Sequence, residues 1–489
     1  MVVYILANIK RNLVYNFILS CSNVLLPLLS IPYVSRVLNP EGIGRVGFVD
    51  SFTYYFVIIA EFGVTTYGIR EVAKCQNDPA KLKILVPQLL TLHIITSLFT
   101  SILYASALFF LWDRIGDTRL VLLSVSFFVV NFFACEWYFM GREKFGYIAL
   151  RSIVVRLLGL ISIFVLIQTP RDYYLYYLAI VGSAILNGIW NYTLLLKEVS
   201  FTFKKVDWRK HLRYVWVTYL ISLFYSIPLM LDNVLLGLVS TAGMVGVYSL
   251  SAKVVRVGTT LLTDSFLVFF PRVVSLSSEK KDDQLAQKLS FNIQFIVLFA
   301  IPMCMGIFLL AEELALVFFG NKFADASVNL RILAVFPLIK GISLFLSNPV
   351  LIAQHKERTF LKNLVLSSGI FVLMSVVLSH YYSARGACIA LLVAELILML
   401  LNVRSVRRLF PQVKLPPRPI LQAVIGTIAF IPVTWLAHRT MNAGALRLAV
   451  IIFGCIGIYG ILLVILRNEF VMMIFRGVKN KYVLKSGQL

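Results

Sequence analysis

RVLNPEGIGRVGFVDSFTYYFVIIAEFGVTTYGIREVAK, residues 36–74, is the stretch on which the reading of the fold turns. It opens on a turn of Asn39, Pro40, Glu41, Gly42 and Gly44, continues through a long, mostly apolar run, and closes on Arg70, Glu71 and Lys74. An apolar run of that length bounded by charge suits a membrane-spanning helix, because a helix satisfies its own backbone in hydrocarbon. Two carboxylates, Asp50 and Glu61, interrupt it. They are eleven residues apart, close to three helical turns, so both are expected on one face, about 16 Å apart along the axis. An acid at membrane depth costs about 3 kcal/mol unless it meets water or a partner. Either the acids lie near a helix end or beside a cation, or this helix lines a polar lumen.

The rest of the chain has the same character. It is 59% hydrophobic and 14% charged over 489 residues, with a mean hydropathy of +0.86, which places it among all-α integral membrane proteins. The net charge of +23 comes from short clusters of cations between apolar runs, not from one basic tract. That is the positive-inside pattern, and it argues against nucleic acid as a partner. Six cysteines (Cys21, Cys75, Cys135, Cys304, Cys388 and Cys455) are scattered without metal-ligand spacing, so neither a metal site nor a disulfide framework is expected. Lys10 and Arg11 lead into an apolar run with no small-residue cleavage site, the pattern of a retained first span.

Fourteen spans are expected, near 13–37, 43–68, 86–111, 119–140, 149–168, 174–196, 213–238, 243–270, 289–311, 328–353, 360–380, 386–402, 419–438 and 446–466. With the N-terminus inside, the cytoplasmic connections hold 32 lysines and arginines and the opposite side holds 10. Both termini are therefore expected in the cytoplasm. A faint internal repeat accompanies the spans. Asn39–Gly44 precedes span two and Ser240–Gly246 precedes span eight, Pro27 has a near counterpart in Pro228, and Asp50 and Glu61 match Lys253 and Asp264 with one residue of slippage. The shared offset is six spans, which makes the repeat parallel rather than inverted. Pro27, Pro32, Pro228, Pro302, Pro337 and Pro349 are expected to bend or break their helices.

Charge also falls where hydrocarbon is expected. Arg156, Lys253, Arg256 and Lys340 lie well inside spans, Asp232 sits beside Asn233 in span seven, Glu136 ends span four, Glu395 is mid-span in twelve, and His93 is in span three. Each has a plain explanation: Glu136 can snorkel, Glu395 can pair within the bundle, and His93 reads as a hydrogen-bonded core histidine. As a set, at about 3 kcal/mol each, they need relief. A water-filled central cleft between two six-helix lobes supplies it. Cations there suit an anionic headgroup, and acids there suit a coupling proton or sodium ion.

The N-terminal hairpin, Ser35–Phe48 followed by Glu61-Phe-Gly63 and Tyr67-Gly-Ile-Arg-Glu-Val-Ala-Lys74, closely resembles the opening of Wzx-type flippases. These are polysaccharide-biosynthesis transporters of the multidrug/oligosaccharidyl-lipid/polysaccharide superfamily. Glu136–Phe145 resembles their segment at the end of span four, with Met140 where the pattern has Gln, and Asp232-Asn-Val-Leu-Leu-Gly237 resembles their span seven. The resemblance implies two six-helix lobes, residues 1–212 and 213–418, and two added C-terminal helices with a cytoplasmic tail, 419–489. It also implies a flippase, not an enzyme, that moves an undecaprenyl-diphosphate-linked oligosaccharide for O-antigen, capsule or a similar glycan across the bacterial inner membrane by alternating access.

Arg156, Lys253, Arg256 and Lys340 are the expected substrate contacts, and Asp50, Glu61, Asp232 and Asp264 the expected gating or ion-coupling groups. Only Glu61 and Asp232 lie within the family's motifs; the cation assignments rest on the residues alone. No cofactor is expected beyond the coupling ion. The expected partners are the lipid-linked oligosaccharide, membrane lipid, and the glycosyltransferases and polymerase of the pathway. The alternatives are a drug/cation antiporter of the same superfamily and a membrane polysaccharide polymerase. Four buried cations disfavour the antiporter, and the lack of a long external loop disfavours the polymerase. No Walker-type glycine loop occurs, which disfavours ATP-driven transport by this chain alone.

Overall fold

The computed structural model describes residues 2–199, 207–264, 282–413 and 417–472, without the side chains of most residues before 28 and of 264, 282, 348 and 349. The side chains of Lys10, Arg11, Cys21, Pro27, Asp264 and Pro349, and all of Lys204, Lys205, Arg272, Lys280, Lys281, Lys414 and the cations of the C-terminal tail, lie outside the described residues.

All regular structure among the described residues is helical. In chain order the helices are α1 (Val2–Glu61), α2 (Val64–Lys74), α3 (Pro79–Ile115), α4 (Thr118–Val130), α5 (Glu136–Gly141), α6 (Phe145–Leu166), α7 (Tyr173–Glu198), α8 (Arg209–Ser226), α9 (Asp232–Val239) and α10 (Ala242–Asp264). They continue with α11 (Asp282–Leu309), α12 (Ala311–Leu314), α13 (Ala326–Leu333), α14 (Phe336–Phe345), α15 (Glu357–Leu409), α16 (Pro417–Ile428), α17 (Phe430–Thr440) and α18 (Ala445–Ile465). Ten stretches are long and apolar enough to cross a membrane, eleven if the bent pair Ala326–Leu333 and Phe336–Ile352 is one span. Two of the ten are double: α1 breaks at Asn39 (φ 62°) and α15 at Ser383 (φ 48°). With those legs separated and α10 included, fourteen helical legs run through the described residues.

The breaks follow local chemistry. Asn39 leaves the helical region (φ 62°, ψ 164°) immediately before Pro40, whose ring disfavours a helical residue ahead of it. Asp78 caps α3 by accepting from the Lys81 amide at 3.1 Å, with Pro79 at the first helical position. Gly116 (φ 62°) ends α3 in the left-handed region. Asp117 then caps α4, accepting from the Arg119 amide at 2.9 Å. Pro228 falls in a π-helical turn, Ile227–Leu231, and Pro337 opens α14, whereas Pro302 stays inside α11.

The chain divides into two compact units, Met1–Leu250 with Phe360–Ala394, and Ser251–Thr359 with Glu395–Leu489. In the first, one core forms around the fully buried Trp137, Tyr138 and Phe139 of α5. There α2 and α5 interlock. A Cβ on Gly68 would lie 2.8 Å from the Trp137 ring, and one on Gly141 2.7 Å from Val72. A second core packs Phe48, Phe52, Tyr104 and Phe128. In the second unit, α16, α17 and α18 pack through Ala423, Phe430, Ile451 and Tyr459, with Leu298 of α11.

Candidate functional site

The second leg of α1 carries Asp50 and Glu61 into the interior of the first unit. Glu61 is not mid-span, as the apolar run suggested, but the last residue of its helix. Phe62 (φ 48°) and Gly63 (φ 71°) both turn left-handed and stop the helix there. Gly63 is required, since a Cβ would lie 2.9 Å from the Tyr219 amide nitrogen. A cavity of about 210 Å³ opens beside Glu61, lined also by Tyr54, Phe127, Asn131, Glu136 and Asn187. Among the described residues the Glu61 carboxylate accepts one hydrogen bond, from Thr65 Oγ1 at 3.2 Å. Asp50, Glu61 and Glu136 all lie within electrostatic reach of the Tyr54 phenol. Among the described residues, the interior also holds two buried side-chain atoms with no hydrogen-bond partner, Asn131 Nδ2 and Asn187 Oδ1. His93 makes its hydrogen bond through Nε2, to the Asn131 carbonyl at 2.7 Å.

One cation of this interior escaped the sequence reading. Arg151, only 1% exposed, donates to Glu136 and to Asn191 Oδ1. Arg151 counts with Arg142 and Lys144 among the 32 cations of the cytoplasmic connections, although it stands at the edge of the span expected at 149–168. The signal that locates it is its register six residues into α6, well past the helix start.

Asp232 follows the π-turn at Pro228 and is fully buried. Tyr248 donates to its Oδ2 at 2.9 Å and the Asn233 amide to its Oδ1 at 2.8 Å. Asn233 Nδ2 in turn donates to Ser51 Oγ at 2.9 Å, which ties α9 to α1. Beyond that bond the two turns of the sequence repeat meet. A Cβ on Gly44 would lie 1.7 Å from the Ala242 carbonyl oxygen, and one on Gly246 2.0 Å from that of Pro40. The contact is reciprocal, and Pro40–Ala242 and Gly44–Gly246 share an offset of 202.

The expected substrate cations are divided between the two units. Arg156 is half-buried in the first unit and donates to Ser22 Oγ at 2.8 Å. Lys253 and Arg256, partly buried, stand one turn apart on the α10 stretch of the second unit. Lys340, expected to attract substrate, is instead held by Glu395 at 2.6 Å, with side chains 5% and 1% exposed. The pairing read for Glu395 thus has Lys340 as its partner. The reason is direction: sequence shows a cation on a helix but not the neighbour its side chain points at. Also in the second unit, buried Glu313 accepts from Arg447 at 3.1 Å and meets His438, joining α12 to α17 and α18.

Packed apolar helices that keep ionisable groups inside each unit define the class: a multi-pass α-helical membrane transporter. The fold is shared with the lipid II flippase MurJ in an inward closed conformation, at a TM-score of 0.75 and 14% identity over 94% of this chain and 100% of that one. An inward-facing multidrug resistance MATE family transporter of the MOP superfamily aligns over 80% of this chain and 95% of its own, at 0.60 and 16%. Residues 9–277 match the family of polysaccharide biosynthesis proteins, and the chain belongs to that family. A putative O-antigen transporter of Escherichia coli (strain K12) is 24% identical over 81% of this chain and 97% of its own length. Another, of Shigella dysenteriae, is 21% identical over 81% of this chain and 100% of its own. A probable low-salt glycan biosynthesis flippase, Agl15 of Haloferax volcanii, is 22% identical over 51% of this chain and 52% of its own.

Proposed function

We propose that this chain flips a lipid-linked oligosaccharide, anchored on a polyprenyl diphosphate, across the bacterial inner membrane by alternating access, with both termini in the cytoplasm. The observation that carries the reading is the near full-length match to two putative O-antigen transporters within a polysaccharide biosynthesis family. Glycosyltransferases and a polymerase of the same pathway are its expected partners. Arg156, Lys253 and Arg256 attract the diphosphate or acidic sugars. Lys340 serves the second unit as an internal ion pair.

Transport is coupled to a proton or sodium ion taken up at Glu61. Its carboxylate faces a cavity with a single hydrogen bond and no cation in salt-bridge range among the described residues. A buried carboxylate so placed stays charged only by binding a cation, or becomes neutral by binding a proton. Asp50 and Asp232 support gating from the same unit, and Asp264 joins the set on its place in the sequence.

Expression in a strain lacking its own O-antigen flippase tests the reading. The wild-type chain is expected to restore surface glycan. Lys253→Ala, Arg256→Ala and Glu61→Gln are expected to reach normal levels and restore none. No restoration by the wild type with any lipid-linked glycan refutes the flippase reading; normal glycan with Glu61→Gln removes only the coupling role.

A further inference from the structure

The first unit has a second polar site, away from the Glu61 cavity. A groove of about 410 Å³ runs between α2 and the first turns of α3 and α8, lined by Lys74, Lys81, Lys210, Glu71, Ile84 and Gln88. The three lysines come from three different helices. Glu71 binds Lys74 at 2.8 Å and Arg70 at 3.3 Å, and Asp78 binds Lys81 at 3.1 Å. Four cations against two acids leave the groove positive.

Its floor is built rather than incidental. Tyr67 Oη lies 3.0 Å from His211 Nδ1, and His211 Nε2 lies 3.1 Å from Gln88 Oε1. His211 and Gln88 are each 5% exposed. With the amide oxygen of Gln88 facing Nε2, that nitrogen carries the proton and Nδ1 accepts from the phenol. The chain of donors therefore runs from Tyr67 through His211 to Gln88. It orients the amide so that the NH₂ of Gln88 points away from His211, and no partner for that nitrogen occurs among the described residues. Three ammonium groups and a preset amide donor make an anion site, in which every polar contact on offer is a donor except the already engaged Glu71.

The groove's rim says what the anion is attached to. Ile84 is 60% exposed, and Ile95, Leu98, Phe99 and Ile102 continue the same side of α3 at 37%, 56%, 66% and 67%. At helical spacing these form one stripe, which in a membrane-spanning helix faces hydrocarbon. The groove opens beside Ile84, and the lipid-facing stripe resumes at Ile95, about 16 Å further along the same side of α3.

We propose that this groove holds the headgroup of an acidic phospholipid of the surrounding bilayer. Its phosphate sits on Lys74, Lys81, Lys210 and the Gln88 amide, and its acyl chains lie along Ile84, Ile95, Leu98 and Phe99. The site is independent of the transport reading.

Full-length protein in detergent, titrated with phosphatidylglycerol and read by native mass spectrometry, is expected to retain a tightly held lipid and to discriminate against phosphatidylcholine. Each surface lysine contributes roughly fivefold, so Lys74→Gln with Lys81→Gln is expected to weaken retention about thirtyfold. Lys210→Gln, a third exposed position, is expected to give about fivefold, at an unchanged melting temperature. Wild-type retention in both variants, or equal binding of phosphatidylcholine, overturns the proposal. Inorganic phosphate that competes as well as phosphatidylglycerol overturns it in favour of a bare anion site. A lipid-linked diphosphate that alone is lost in the variants, with phosphatidylglycerol unaffected, assigns the groove to the transport substrate and overturns it as well.

Discussion

At Gly44 a single methyl group has nowhere to go. The nearest atom to a Cβ there is a backbone carbonyl oxygen at 1.7 Å, and the same holds for Gly246 at 2.0 Å. Neither oxygen belongs to a flexible side chain that can step aside, so the two turns must separate to admit alanine. Gly44→Ala and Gly246→Ala are each expected to cost about 1–3 kcal/mol of packing and to abolish glycan export. Gly369→Ala, with nothing within 4 Å, is the control expected to have no effect. Thermal melting with surface-glycan staining checks both, and wild-type behaviour at Gly44 and Gly246 sinks the crossing as a tight contact.

Asp117 gives a pH effect at the same scale, between α3 and α4. Burial works against its ionisation, but hydrogen bonds from Arg119 and Tyr173 (2.8 and 2.6 Å to Oδ2) outweigh that and hold its carboxyl at about 2, below the ordinary 3.8. A folded pKa below the unfolded one contributes stability above the unfolded value, lost as pH falls through the folded value. Melting temperature is therefore expected to drop between about pH 4 and pH 2 partly through this group, and Asp117→Asn is expected to flatten that part of the profile. An identical acid limb in the variant refutes it.

At the scale of elements, the Lys340–Glu395 pair joins α14 to α15 inside the second unit. Removing one partner of a dry pair leaves an uncompensated buried charge, so Lys340→Ala is expected to cost about 3–5 kcal/mol. Replacing both, as Lys340→Met with Glu395→Leu, is expected to recover most of that. A double variant no more stable than the single, followed by thermal unfolding, refutes it. Elements also show where sequence was readable. The turn at Asn39-Pro-Glu-Gly was legible because its residue types demand it, and the end of α3 falls in the connection expected between the spans at 86–111 and 119–140. The end of the second leg of α1 was not: an apolar run continues past Glu61, and only the left-handed Phe62–Gly63 pair stops the helix. Ser383 breaks α15 without a proline, in the connection expected between the spans at 360–380 and 386–402.

For the whole molecule, the proposed topology has fourteen crossings and both ends of the chain on the cytoplasmic side. Reporter fusions after Lys74 and after Gly116 are expected to report opposite sides, with the side of Lys74 shared by both termini. Termini on opposite sides refute the count of spans. Much of this scale was readable, since the family hairpin spans both Glu61 and the α2 helix that packs on α5. The roles of individual charges were less so. Arg151 was missed beside a basic connection, and Lys340 was given to the substrate before its partner was visible.

Amino-acid order alone determined that this protein lives in a bilayer, where most turns fall and which family it joins. Those properties follow from solvent and local backbone: hydrocarbon forces each apolar run to satisfy its own amides as a helix, and turn residues set where it stops. Tertiary structure alone decided which charges meet. Arg151 and Asn191 are 40 residues apart, Lys340 and Glu395 are 55, and the two repeat turns cross at 202. Whether a buried cation faces a carboxylate, a cavity or a lipid depends on the rotation of each helix against neighbours distant in the chain, and packing sets that rotation.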